Sequence, residues 1–172
     1  FFLIKNFKIM YIKCLLIASF LLFLGGNSLT AQDYEYIGAA KCKMCHNKPA
    51  TGAQYKQWSG TKHATAMESL KGDEKNDPNC LSCHSTAGSV DEYLLATITV
   101  DEGVSCESCH GPGSAYKSKS VMESREKSLE KGLIIPTKEV CLKCHNDKSP
   151  HYKGFDFDEY VKKIARSRAI CN

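Results

Sequence analysis

Four times in 172 residues the chain repeats Cys-x-x-Cys-His: Cys42-Lys-Met-Cys45-His46, Cys80-Leu-Ser-Cys83-His84, Cys106-Glu-Ser-Cys109-His110 and Cys141-Leu-Lys-Cys144-His145. On a helical turn, residues i, i+3 and i+4 share one face. Two thiols so spaced can each add to a vinyl group of one haem while the imidazole reaches its iron, and covalent haem c attachment needs that triple. Paired Cys-x-x-Cys units also build structural zinc sites. Zinc, however, does not require a histidine after the second cysteine. At a background histidine frequency of about 2 per cent, four out of four by chance is on the order of one in several million. A thioredoxin-like dithiol is expected once and in a βαβ setting, and a disulfide framework would scatter its cysteines. The eight thiols and His46, His84, His110 and His145 are therefore expected to hold four covalently bound haem c groups.

Two of the six histidines, His63 and His151, are left over. An iron held by one histidine can be closed by a second, giving an electron-transfer site, or left open to a small ligand. The chain can close at most two of its four haems in this way. His63, in Trp58-Ser-Gly-Thr-Lys-His63-Ala-Thr-Ala-Met67, reads as a helix-borne distal ligand, and His151 follows Ser149-Pro150 as a second candidate. Met44, Met67 and Met122 could offer thioethers, although a helical methionine more often packs.

The elements that must position these groups have little ordinary core to draw on. Of 37 Leu, Ile, Val and Phe residues, 16 precede residue 32, leaving 21 among the remaining 141. That share, about 15 per cent, is below the roughly 20 per cent at which a protein-only core becomes doubtful. Four apolar macrocycles would supply what is missing. Net charge after Ala31 is only +1, with 20 Lys and Arg against 19 Asp and Glu, so a basic nucleic-acid surface is not indicated.

The first residues read as an address. Lys13 precedes an apolar run from Leu15 to Leu24, and Gly25-Gly26 and a polar stretch lead to Leu29-Thr30-Ala31. This is the pattern of a signal peptide over residues 1–31 with Met10 as the true start. The run is shorter than the roughly 20 residues a membrane span needs, which makes an uncleaved anchor the lesser reading. Cys14 lies before the run and cannot carry a lipoprotein lipid. Export also suits haem c, and the mature chain, residues 32–172, is expected in the periplasm as one domain. The motif spacings of 38, 26 and 35 residues show no repeat period.

Asp77 and Pro78 predict a helix start before the second motif, and Thr137 predicts one before the fourth. Ser69 to Asn79 reads as an exposed loop. Tyr93 to Val100 is the one stretch of strand composition, and Val121 to Lys131 reads as a charged, solvated helix. Asp156 to Ile170 predicts an amphipathic helix with Asp156 and Glu159 as a capping box. Its stripe of Phe157, Tyr160, Val161 and Ile164, like Trp58, is expected to pack against haem.

Gly38 to Leu70, with Trp58 and His63-Ala-Thr-Ala-Met67-Glu-Ser-Leu70, and Gly103-Val-Ser-Cys-Glu-Ser-Cys-His-Gly-Pro-Gly113 resemble the tetrahaem cytochrome c554 family of periplasmic electron carriers. That family is related to the haem-packing modules of hydroxylamine oxidoreductase and multihaem nitrite reductases. The resemblance extends more loosely to the fourth motif and the Asp156 to Ile164 stretch. It implies a mostly helical, compact multihaem cytochrome c fold with little β structure, and haems in close pairs. It also implies mainly bis-histidine irons, His63 as a distal ligand and a five-coordinate iron at His84. The chain departs from the family where Tyr116 and no histidine follows the Gly-Pro-Gly turn before His145. It departs again where Arg166-Ser-Arg168 and Cys171 stand near the last helix.

The leading expectation is a carrier of single electrons between periplasmic redox proteins. A redox enzyme acting on a nitrogen oxide or peroxide at an open haem is the second. A haem-bearing subunit completed by partner residues is the third. Contact with nucleic acid is not expected, and contact with membrane only through an uncleaved signal.

Overall fold

The computed structural model describes residues 34–164; the expected signal peptide, Arg166-Ser-Arg168, Cys171 and the helix beyond Ile164 lie outside them. Eight short α-helices are present among the described residues: α1 (Ala39–His46), α2 (Gln54–Ser59), α3 (Pro78–His84), α4 (Cys106–His110), α5 (Lys119–Met122), α6 (Arg125–Glu130), α7 (Lys138–Leu142) and α8 (Phe157–Ile164). Single 3-10 turns punctuate the links, among them Ala66–Ser69, Gly72–Asn76, Glu92–Leu94 and Val100–Glu102. The fold is mostly helical, as the resemblance implies, and the described residues contain no strand, only an isolated parallel bridge between Tyr36 and Leu95.

Local chemistry sets the helix starts. Asp77 accepts the Asn79 N–H at 2.8 Å with Pro78 in the first position of α3, which satisfies an orphan donor and pre-sets φ. Asp156 accepts the Glu159 N–H at 2.9 Å ahead of α8, but Glu159 pairs with Lys163, so the capping box is half made. α7 begins after Thr137 as expected, without a hydrogen bond from its side chain. The loop expected from Ser69 to Asn79 is largely exposed apart from the buried Leu70, and it carries the Gly72–Asn76 turn.

Three expectations change on folding. Tyr93 to Val100 forms a 3-10 turn and one bridge instead of a strand, because its only backbone partner is the short Tyr36 segment. Val121 to Lys131 is interrupted before Ser124, which caps α6 by accepting the Lys127 N–H at 3.3 Å. The stretch around His63 is not helical: α2 ends at Ser59 before Gly60, and His63 lies in turns that lead to Ala66–Ser69.

The buried apolar residues among those described are Ile37, Ala39, Leu70, Ala87, Ile98 and Tyr116. This is a thin core, and much of the interior is polar instead. Thr86 is fully buried just after the second motif, and its Oγ1 accepts the Ser105 N–H at 2.7 Å just before the third. The same oxygen is 2.6 Å from Ser108 Oγ, and the Thr86 N–H donates to the Gly103 carbonyl at 2.9 Å. Hydrogen bonds therefore bind one Cys-x-x-Cys-His segment to the next where hydrophobic packing is scarce.

Candidate functional site

Each motif occupies a helical turn. α1, α3 and α4 contain the cysteine pairs and histidines of the first three motifs. In the fourth, α7 reaches Leu142, and the turn is completed by the His145 N–H donating to the Cys141 carbonyl at 3.0 Å. Both thiols and the imidazole of a motif thus lie along one side of the backbone, as stepwise attachment to one haem requires. None of the eight is joined to another by a disulfide.

Five of the eight thiols are shifted up, and one, Cys106, is shifted down by its hydrogen bond with Cys42. Burial, with Cys141 nearby, pushes the Cys109 thiol up to about 11. Burial and the neighbouring Cys83 push Cys144 up to about 12. A hydrogen bond between the Cys42 and Cys106 thiols raises Cys42. The same contacts show which motifs are neighbours. The first meets the third, the second meets the fourth, where Cys144 Sγ also approaches the Ser82 carbonyl at 3.9 Å, and the third meets the fourth.

The imidazoles are oriented for a metal. His84 Nδ1 lies 3.0 Å from the Ala66 carbonyl and 3.1 Å from Ser69 Oγ. Because the Ser69 hydroxyl donates to that same carbonyl at 2.6 Å, the proton shared with His84 belongs to Nδ1. Nε2 is left with its lone pair, the tautomer a metal-binding histidine adopts. His110 Nδ1 is placed likewise, 3.1 Å from the Ile134 carbonyl. Partial desolvation lowers the His110 and His145 values and so favours the neutral, ligating form, although both residues are exposed.

His63 stands opposite the fourth motif. Its ring centroid is 6.0 Å from that of His145, with 66° between the planes. At this spacing His63 and His145 would be able to hold one haem iron between them. Phe155 stacks on the face of His145 at 4.6 Å, and Tyr160 on Phe155 at 5.3 Å, so the α8 region orients the fourth histidine. The backbone of His63 is fixed from the third motif's approach, where the Val104 N–H donates to its carbonyl at 2.9 Å. Gly103, at φ 67°, makes that approach possible; a Cβ there would be 2.8 Å from the His63 oxygen. Trp58, expected to pack on haem, donates its indole N–H to the Val104 carbonyl at 2.9 Å and braces the same strip.

His151 is exposed in a turn. Met44 is 69% exposed, and the Met122 sulfur is occupied by the Ser128 hydroxyl at 3.8 Å, so neither thioether is poised as a ligand. Reasoning from sequence missed Glu107, Glu102, Ser69 and Thr86. Position inside or beside a motif was the only signal for Glu107, Glu102 and Thr86, since the type of a residue does not disclose how far it is buried, and Ser69 lies far from any motif.

Cysteine pairs and histidine on one helical turn, Nδ1-anchored imidazoles at His84 and His110, and a thin apolar interior all fit haem c. The family model described as cytochrome c554 and c-prime matches residues 41–111. The chain is 31% identical to the cytochrome c-554 of Nitrosomonas europaea over 204 aligned positions, covering 91% of this chain and 84% of that relative. No solved structure matches.

Proposed function

The chain belongs to the cytochrome c554 family, and on that footing we propose that it works in the periplasm, passing electrons one at a time between protein partners. It is a c-type cytochrome and an electron carrier, with four covalently bound haem c groups. Bound haem supplies an iron that cycles between ferric and ferrous states. Cys42 and Cys45, Cys80 and Cys83, Cys106 and Cys109, and Cys141 and Cys144 hold the groups, and His46, His84, His110 and His145 bind the irons on one side. His63 closes the iron of His145, and His151 is the remaining imidazole available as a distal ligand.

The observation that carries the reading is the His63–His145 pair at 6.0 Å. An iron closed by two imidazoles exchanges electrons without binding substrate, which is what a carrier needs. Backbone carbonyls anchor His84 and His110, which would restrict the movement of these ligands if the charge on a bound iron changed. No helix among the described residues is long and apolar enough to cross a membrane; the periplasmic assignment is supported by the signal-like residues 1–31.

One observation favours a second reading, small-ligand chemistry at His84. Its Nδ1 hydrogen is shared by two acceptors, which makes the imidazole a stronger donor to iron. Adding nitric oxide or carbon monoxide to the reduced protein decides between them. A carrier shows at most binding, with no consumption of nitric oxide or peroxide. Sustained turnover would replace the carrier with an enzyme.

A further inference from the structure

Glu107 lies inside the third motif, between Cys106 and Cys109, and is 1% exposed. Its carboxylate accepts the Ile37 N–H at 3.0 and 3.1 Å, the Gly38 N–H at 2.7 Å and the Gly113 N–H at 2.6 Å. Ile37 and Gly38 lead into α1, which carries the first motif, and Gly113 ends the turn after the third. Glu102 takes the next donor, the Ala39 N–H at 2.7 Å. One buried side chain therefore ties the first attachment segment to the third, at the junction where the thiols of Cys42 and Cys106 meet.

No cation lies against Glu107 among its hydrogen-bond partners. Three backbone amides donate to the carboxylate and satisfy its oxygens without supplying a counter-charge. A residue needed only to pack these segments could have been apolar; burying a carboxylate is costly unless its charge is held in place. The charge of Glu107 also acts on both Cys42 and Cys106, opposing a second negative charge at either.

We propose that Glu107 is a positioning residue and a fixed buried anion shared by the first and third haem sites. By opposing added electron density there, it holds the reduction potentials of those two haems below the values a neutral side chain would give. At an effective dielectric of about 20, a unit charge about 10 Å away changes a one-electron equilibrium about tenfold. That corresponds to about 59 mV. The proposal rests on the four-haem reading, and haem number, measured by intact mass, is read separately from potential.

The test is spectroelectrochemistry of the holoprotein and its Glu107→Gln and Glu107→Asp variants. In Glu107→Gln bearing four haems, two of the four potentials should rise about tenfold in equilibrium constant while the other two stay. Glu107→Asp, which keeps the charge, should retain potentials near those of the parent. Four unchanged potentials in Glu107→Gln would overturn the proposal, as would an aspartate variant that shifts as far as the glutamine one. If Glu107→Gln does not assemble with four haems, the parent decides by redox-difference infrared spectroscopy with isotope-labelled glutamate. Ionised carboxylate bands that shift on reduction support the assignment. A protonated carboxyl band in the oxidised protein, or labelled bands that do not move, refutes it.

Discussion

His84 and His110 are held in the same way by different partners, and neither partner is a charged group: Ala66 and Ser69 for one, Ile134 for the other. Charge enters instead through Glu102 and Glu107 at the start of α1, where carboxylates also complement the helix dipole. Burial lifts the Glu102 carboxyl above its ordinary 4.5; the Ala39 N–H works against the shift and Glu107 adds to it. A folded state that binds this proton more tightly than the unfolded chain is favoured at low pH. The contribution is fully present below the ordinary value and is lost as pH rises through the raised, folded one. Glu102→Gln keeps an acceptor for Ala39, so its stability should fall less steeply across that window than the parent's. Denaturation of both proteins at a series of pH values measures this, and parallel curves would show that Glu102 does not titrate there.

Among the elements, α1, α3 and α4 each end at the histidine of their motif, and the helix starts are set by residues outside them, as Asp77 sets that of α3. The start of α3 was legible in Asp77-Pro78, and α8 in Asp156 and its apolar stripe. The turn carrying His63 was not, since its shape depends on Gly103 and Val104, some 40 residues later in the chain. Tyr93 to Val100 misled for a similar reason: strand composition without a long partner yields a bridge and a turn. Thr86 shows how these elements are fastened. Thr86→Val preserves shape but removes the acceptor for the Ser105 N–H, leaving a buried donor unpaired at a cost of about 1–3 kcal/mol. Chemical denaturation of the holoprotein should show that loss with all four haems retained. A stability equal to the parent's would mean that the clamp between the second and third motifs contributes nothing.

At the scale of the whole molecule, the scarcity of large aliphatic residues and the four motifs were two signs of one design. The sequence therefore disclosed the cofactor, its number and the helical class. It did not disclose which motifs adjoin, because their intervals have no period and the contacts run first to third and second to fourth. A protein whose haems replace its core should not survive the loss of one. Replacing Cys106 and Cys109 together by Ala should remove one haem by mass and abolish cooperative unfolding; a stable three-haem protein would show that the polypeptide core suffices. The carrier reading turns most directly on the iron of His145. Low-temperature electron paramagnetic resonance of the oxidised holoprotein counts low-spin and high-spin irons. His63→Ala should convert one low-spin iron to high-spin while all four covalent attachments persist. An unchanged spin count in His63→Ala would contradict the assignment of His63 as the group that closes the fourth haem.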